Sequence, residues 1–350
     1  MIATTVTLLA VLAGAQAPDV GQLVEAKVSV NAEAREITID IPAIPLPPHT
    51  GHHGGGGGLP PVIRARLPIA VSLYGFRVEL FDAEGAALPA SLIHHVNMID
   101  PQARELFLPI SRRVMAVGSE TGGQKLPWFL FGLPIAAGAE LVANAMLHNP
   151  TETDYPSVTT RIVLQYVPGS RPWPVFDGYP FQLDVLFPVG DKSFPLPPGP
   201  SSKSFEARPA IAGKIVAIGG HLHDYGTKIE LTAVETGRVI WSTTPTLDDQ
   251  GKVAGVPIGK LYGWFKVGAT ITPDRTYRVT VYYDNPTGEP LPEGGMGVVG
   301  GLFVPARGTV WPLADKALAL YQQDARHYLL LAAWEPLVEE DHSQHEHPPR

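Results

Sequence analysis

The sequence contains no cysteine among its 350 residues. Without thiols the chain cannot form disulfides, a CxxC zinc site or a thiol nucleophile. A chain of this length buries a large core, so it can do without disulfide staples even when it is exported. Structural zinc clusters and cysteine catalysis are therefore excluded.

Charge is also scarce. Lys, Arg, Asp and Glu make up 17% of the chain, the net charge is −8, and there is no run of Lys or Arg. A basic footprint is what nucleic-acid binding requires, so nucleic acid is excluded as a partner. Beyond the N-terminus no segment approaches the roughly 18 apolar residues that a membrane span needs, and we expect no stable membrane insertion.

The first seventeen residues, MIATTVTLLAVLAGAQA, form an apolar stretch that ends in small residues. This pattern is typical of a signal peptide. We therefore expect the protein to be exported, to the periplasm or to the medium.

Glycine and proline are abundant, with 36 of each. Many turn-forming residues between short alternating segments, such as Glu36–Ile41, favour an all-β protein. Leu106–Pro109 also has strand composition. We predict two tandem jelly-roll β-sandwich domains followed by one C-terminal α-helix. The helix prediction rests on Pro312 near its start and on the helical spacing of Leu313, Tyr321 and Tyr328, which would pack it on a sheet.

The predicted boundaries follow the proline-rich and polar segments. In chain order they are a signal peptide over 1–17, an N-terminal jelly roll over 18–168, a Pro-rich linker over 169–203, a C-terminal jelly roll over 204–310, a helix over 311–335, and a polar His-containing tail over 336–350.

Three groups of histidines stand at strand ends. His221 and His223 in HLHDYG have the i, i+2 spacing that points both imidazoles to one side of a strand. The adjacent His94 and His95 would face opposite sides of a regular strand, so a shared ion requires a bulge or a strand end there. His148 in MLHNPT precedes an Asn-Pro turn.

Met296, in GGMGVVGG, adds a thioether, which suits Cu(I) better than zinc. Taken singly, each of these residues also has an ordinary structural explanation, such as a hydrogen-bonded surface histidine or a core methionine. Taken together they supply an all-nitrogen set of His94, His95 and His148, and a softer set of His221, His223 and Met296.

The order HH, H, HxH, M resembles the copper type II, ascorbate-dependent monooxygenases, the family of peptidylglycine α-hydroxylating monooxygenase and dopamine β-monooxygenase. The resemblance covers about residues 25–305. It implies two copper ions, one held by His94, His95 and His148 for electron transfer, and one held by His221, His223 and Met296, the catalytic site, for oxygen chemistry. It also implies a small-molecule substrate, an electron donor such as ascorbate, and two sites that face each other across a cleft.

The sequence departs from that family at several points. Gly219 and Gly220 precede the HxH where the peptide-hydroxylating members have an arginine near the substrate carboxylate, which leaves the substrate open. The family's disulfides are absent. Asp224 and Tyr225, which follow the HxH, are candidates to orient an imidazole.

Two other functions remain open. The first is a noncatalytic copper-binding or structural double jelly roll. The second is a zinc hydrolase that uses the HxH with Asp224. Two further sets of histidines are predicted to lie in a solvated loop and tail, with weak copper loading as the alternative: His49, His52 and His53, and His342, His345 and His347.

Overall fold

The computed structural model describes residues 23–49, 61–118, 123–169, 172–186, 192–249, 251–263 and 266–329. These residues form 28 strands, two short 3-10 helices (Ala90–Leu92 and Val234–Thr236) and one α-helix, α1 (Ala319–Leu329). The first thirteen strands are β1 (Val24–Glu25), β2 (Lys27–Asn31), β3 (Glu36–Leu46), β4 (Ile63–Arg66), β5 (Val71–Phe81), β6 (Ala87–Leu88), β7 (Ile93–Arg104), β8 (Ser111–Gly118), β9 (Gln124–Lys125), β10 (Phe131–Ile135), β11 (Glu140–Leu147), β12 (Tyr155–Pro168) and β13 (Phe176–Asp177).

The remaining fifteen follow in the second half of the chain. They are β14 (Tyr179–Asp184), β15 (Phe194–Leu196), β16 (Gly199–Ala207), β17 (Gly213–Leu222), β18 (Gly226–Ala233), β19 (Arg238–Thr243), β20 (Thr246–Leu247), β21 (Val253–Gly255), β22 (Gly259–Lys260), β23 (Tyr262–Gly263), β24 (Lys266–Val267), β25 (Ala269–Ile271), β26 (Tyr277–Asn285), β27 (Leu291–Gly295) and β28 (Gly297–Pro305).

The strands form two jelly rolls, which confirms the predicted fold class. In the first sandwich, the order β4-β11-β7-β8 faces the order β3-β12-β5-β10. Numbered one to eight along the chain, these strands run 2-7-4-5 and 1-8-3-6, the jelly-roll arrangement. The second sandwich repeats it, with β16-β26-β18-β19 facing β14-β28-β17 and the short β22 and β25.

Strand alternation builds each core. In β3, Ile37, Ile39 and Ile41 are completely buried while the residues between them are half-buried. Each such isoleucine contributes about 1.5–3 kcal/mol by leaving water. The second core is built in the same way along β26, where Tyr277, Val279 and Val281 point inward.

The Pro-rich segment 169–203 differs from the predicted linker. It supplies β13, β14, β15 and the first half of β16, so the second sandwich begins at Tyr179 rather than at residue 204. Pro180 of β14 and Pro200 of β16 are tolerated because both strands lie at sheet edges, where an N–H can face away from the neighbouring strand.

The helix also begins later than predicted, at Ala319 rather than near Pro312. The preceding residues lie extended against the end of β7: the Trp311 indole N–H donates to the Arg104 carbonyl at 2.7 Å, and Leu313 forms a bridge with Ala103. Leu313 is 78% exposed, so it takes no part in a helical apolar face.

Each sandwich places a segment in the other. The connection Glu105–Ile110, predicted in part as a strand, is a loop whose Leu106 and Phe107 lie in the second core. In return, α1 packs on the outer face of the first sandwich, as predicted for a sheet-packing helix. There Asp324 forms a buried ion pair with Arg113, and the Tyr328 hydroxyl donates to the Val142 carbonyl at 3.3 Å.

A short repeat closes both sandwiches. The sequences PLPP and NPT occur at 45–48 and 149–151, and again at 195–198 and 285–287. In both copies the side-chain amide of the NPT asparagine donates to two carbonyls of PLPP, those of the leucine and of the proline that follows it. It also donates to the carbonyl of the residue four positions after the asparagine. The side-chain oxygen of the asparagine accepts the hydroxyl of the NPT threonine. The two asparagines, Asn149 and Asn285, therefore fasten equivalent turns.

Some predictions fall outside the described residues: the signal peptide over 1–17, His52 and His53, the helix end beyond residue 329, and the tail with His342, His345 and His347. Within the part of the chain that the structure describes, no helix has the length and apolarity to cross a membrane.

Candidate functional site

A bulge in β7 brings His94 and His95 to the same side of the sheet. Ile93 and Val96 are both buried in the first core, which leaves two residues between them instead of one. On β11, Leu147 pairs with Ile93 and Met146 pairs with His95, so His94 is the extra residue. The two imidazole centroids are 4.0 Å apart. The bulge that the sequence required is present.

His148 joins them from the end of β11. Its backbone N–H donates to the Leu92 carbonyl at 3.0 Å, and its ring centroid lies 5.7 Å from that of His94. The next residue, Asn149, fixes the chain through the turn described above. We call His94, His95 and His148 the first histidine group.

The first histidine group shares its sheet face with several polar side chains. Asn97 donates to the side-chain oxygen of Asn144 at 3.4 Å, and Asn144 donates to the Tyr328 carbonyl at 3.1 Å. The register also puts Met146 directly opposite His95, hence on the same face. Sequence reasoning missed Met146 because its position depends on the pairing of β11 with β7.

The second group, His221, His223 and Met296, lies at one end of the second sandwich. Leu222 is buried in the core, so its two histidine neighbours point away from it, and their ring centroids are 5.3 Å apart. Directly afterwards Tyr225 has a φ of 67°, which turns the chain into β18. The HxH alternation predicted from the sequence is thus observed.

Tyr283 ties Met296 to this pair. Its hydroxyl accepts the His223 N–H at 3.3 Å and the Met296 N–H at 3.0 Å, and donates to the Met296 carbonyl. Burial raises the pKa of Tyr283 to about 12, so the phenol stays protonated and able to donate. One buried side chain therefore holds the backbones of two second-group residues together.

A buried carboxyl lies on the same sheet face as His221. Val298 pairs with Asp184 on one side and with His221 on the other. Burial raises the pKa of Asp184, opposed by the Lys192 ammonium 3.1 Å away and by the Leu186 N–H that the carboxyl accepts. Asp184 was not predicted, because only the pairing of β14 with β28 brings it near.

The other two candidates near the HxH hold the backbone. The Asp224 carboxylate accepts the Val253 N–H at 3.0 Å, and the Tyr225 carbonyl accepts the Asp284 N–H at 3.0 Å. Asp224 therefore positions the segment around β21. Of the predicted loop histidines, His49 forms an exposed pair with Glu152 at 3.0 Å.

A cleft of about 1060 Å³ lies between the sandwiches, lined by residues of β5, β8, β14, β17 and β28. His221 and His223 are in its wall. The described residues that line it do not include the first histidine group, but they include Ala116 of β8. Ala116 pairs with Asn97 and Gly118 pairs with His95, so the first group lies on the sheet face that borders the cleft.

Neither group is a finished metal site. In the described part of the chain, no three His, Asp or Glu side chains converge in a geometry ready to hold an ion. In the first histidine group the three rings lie close together, but their nitrogen atoms do not converge on one point. The second group offers two imidazoles and a thioether. Ligation would require rotation of side chains on a backbone that already groups them.

No protein-family model and no curated protein matches the sequence. Among solved structures the chain is similar to a peptide-N(4)-(N-acetyl-β-D-glucosaminyl) asparagine amidase, at 7% identity and a TM-score of 0.40 over 79% of this chain and 100% of that one. It is also similar to the VP2 subviral particle of infectious bursal disease virus, at 11% identity and a TM-score of 0.24 over 80% and 70% of the two chains. Function therefore has to be argued from the side chains.

Proposed function

We propose that this protein is a copper-dependent oxidoreductase that hydroxylates a C–H bond of a small molecule, with dioxygen as oxidant and a reductant such as ascorbate as electron donor. The observation that carries the proposal is the grouping of three imidazoles on one jelly roll and of two on the other, where Tyr283 ties the Met296 backbone to that of His223. His221 and His223 line the cleft.

The donor atoms fit copper. A site of two imidazoles and a thioether suits Cu(I), whereas an all-imidazole set accommodates both oxidation states. A zinc hydrolase is less well supported, because the Asp224 carboxylate that it would use is already hydrogen-bonded to Val253. Copper supplies the one-electron and dioxygen chemistry that protein side chains lack.

The chain's own residues would hold and orient the reactants. His221, His223 and Met296 would bind one copper beside the substrate, and Tyr283 fixes the spacing of the His223 and Met296 backbones. The first histidine group would hold the second copper. In the overall reaction one oxygen atom enters the C–H bond, the other leaves as water, and the reductant supplies two electrons and two protons.

The test is copper stoichiometry, measured in a chain with His52, His53, His342, His345 and His347 changed to Asn so that loop and tail cannot bind. After unbound copper is removed by gel filtration, we expect two ions per chain. His94→Asn should remove one of them, and His49→Ala, which changes a 61% exposed side chain, should remove none.

Met296→Ala should abolish ascorbate-dependent oxygen consumption and leave the first histidine group loaded. Oxygen uptake that is unchanged in this variant would refute the catalytic assignment. Two bound copper ions with no oxygen uptake in the parent chain would identify a noncatalytic copper-binding protein, and a chain that binds no copper would end the proposal.

A further inference from the structure

The floor of the cleft is made by two glycines without side chains. Gly219 of β17 and Gly300 of β28 are cross-strand partners, and both line the cleft. A Cβ added to Gly300 would meet only the Phe181 carbonyl oxygen, at 3.4 Å, which is ordinary contact. By contrast, a Cβ on the neighbouring Gly301 would lie 2.1 Å from the Ala217 carbonyl oxygen. Packing requires glycine at 301, but not at 300.

The effect of the bare floor is open space beside the second group. Gly219 is two residues before His221 on the same strand, so both point to the same side. A side chain at 300 would fill part of this volume, whereas a Cβ at 219 would already press on Ile258 Cγ1 at 3.2 Å. A cleft of about 1060 Å³ is at the upper end of the size found for small-molecule sites.

The walls around this floor are mainly apolar. From the first sandwich they include Phe76 and Leu126, and from the second Val256, Ile258 and Leu291. Ile258 is 53% exposed although it is a large aliphatic side chain. Apolar side chains that stay open to a cleft favour a ligand that removes their surface from water.

The charges at the cleft disfavour an anion. Among the described lining residues the one Lys or Arg is Arg113, and both of its terminal nitrogens are bonded to the Asp324 carboxylate in a buried pair. The carboxyl side chains in the lining, Asp224 and Glu293, would repel a negative ligand. In the metal-free chain, an anion that entered would be desolvated without a Lys or Arg among the described lining residues that is not already paired with a carboxylate.

We infer that this cleft binds an uncharged, predominantly apolar small molecule, and that Gly300 is the residue that makes room for it. The claim that this molecule is the substrate of a hydroxylation rests on the proposed function, whereas the claim that it binds rests on the cleft alone. Recognition is by shape and apolar surface, with no carboxylate anchor.

Two dyes with one skeleton test this. N-phenyl-1-naphthylamine is neutral, and 8-anilinonaphthalene-1-sulfonate carries the same rings with a negative charge; both brighten in apolar surroundings. With the metal-free full chain, we expect the neutral dye to bind with a Kd at least tenfold lower than that of the sulfonate. Equal affinities, or tighter binding of the sulfonate, would overturn the inference.

Substitutions locate the site. Gly300→Leu should raise the Kd of the neutral dye at least tenfold, while Gly263→Leu, at an exposed glycine with no atom within 4 Å of an added Cβ, should leave it unchanged. Gly300→Arg should reverse the preference and favour the sulfonate. Circular dichroism and thermal melting check that each variant is folded; a folded Gly300→Leu chain that binds the neutral dye as before would contradict the inference.

The measurement separates the two proposals. If the copper proposal fails, the neutral dye still binds to the metal-free chain. If the cleft inference fails, copper still binds to its two groups. When both hold, Cu(II) added to the dye-loaded chain quenches the bound dye, and His223→Asn weakens that quenching.

Discussion

At the scale of single residues, Tyr283 has more influence on the second group than any of the neighbours of the HxH in sequence. Its hydroxyl contacts the backbone of both His223 and Met296, residues that are 73 positions apart along the chain. Two proposed ligands so far apart in sequence need such a link, because their separation would otherwise vary with every movement of the β27–β28 connection.

We predict that Tyr283→Phe weakens Cu(I) binding at the second group by about 10–100-fold, the usual effect of removing a group that orients ligands. The free energy of unfolding should fall by about 1–3 kcal/mol, because buried backbone groups lose a partner. Competition with a Cu(I) chelator and urea denaturation measure the two effects.

Tyr277→Phe is the matched control. Tyr277 lies on the same strand, is equally buried, and its hydroxyl accepts the Thr272 N–H at 3.0 Å, away from the second group. It should lose similar stability and retain Cu(I) affinity. If both variants lose affinity equally, Tyr283 has no special role.

The sequence was sufficient for the residues that alternate along one strand and insufficient for those that meet across strands. The common side of His221 and His223 follows from strand periodicity alone. The places of Tyr283, Met146 and Asp184 depend on strand register, which local composition does not encode. His94 and His95 are intermediate. The sequence showed that both imidazoles can face one side only at a bulge or a strand end, but it did not show which of the two is present.

At the scale of elements, the two asparagine turns offer a comparison within one molecule. Asn149 and Asn285 make the same set of bonds in the two sandwiches, but Asn149 directly follows His148. Their difference therefore isolates the effect of the turn on the first histidine group.

We predict that Asn149→Ala and Asn285→Ala each lower the free energy of unfolding by about 2–4 kcal/mol, since each removes a buried side chain that donates to three carbonyls. Only Asn149→Ala should also reduce copper occupancy of the first histidine group. Thermal denaturation and metal analysis of the two variants measure this; equal copper content in both would show that the turn does not position His148.

Strands and helices were predictable where the apolar periodicity was strong. The predictions were wrong where pairing with a distant strand determined the structure. Proline content in 169–203 indicates a linker, yet edge positions in the second sandwich accept those prolines. Similarly, the apolar spacing from Leu313 indicates helix, but pairing with the end of β7 holds that stretch extended until Ala319. In both segments tertiary pairing overrides local preference.

At the scale of the whole molecule, Glu105 lies where the two sandwiches are joined. Its carboxyl is completely buried and accepts the N–H groups of Phe107 and, from β14, Gln182, both at 2.8 Å. Burial raises its pKa above the ordinary value of 4.5. The position of the loop Glu105–Ile110, which we call the exchanged loop, therefore depends on a group that titrates.

We predict that this carboxyl makes stability fall with rising pH. Because the folded state holds the proton more tightly than the unfolded chain, the free energy of unfolding decreases from pH 4.5 until the raised pKa is passed, by at most about 1.4 kcal/mol per pH unit. Urea denaturation at several pH values should show this fall in the parent chain and a smaller fall in Glu105→Gln, where the buried Asp184, whose pKa burial also raises, still contributes.

Glu206→Gln provides the control for loss of one negative charge, since this side chain is 44% exposed in a surface pair with Arg278. It should keep the pH dependence of the parent chain. A Glu105→Gln profile parallel to that of the parent would show that Glu105 does not control the junction.

The exchanged loop has a consequence for how the protein is made. Leu106 and Phe107 leave the ribosome long before β26 and β28, the strands whose side chains complete the core around them. During synthesis the first sandwich therefore carries four uncovered apolar side chains, those of Leu106, Phe107, Leu108 and Ile110, that it cannot bury by itself. Such a nascent chain is prone to aggregate, and should depend on a chaperone until its last strands have been translated.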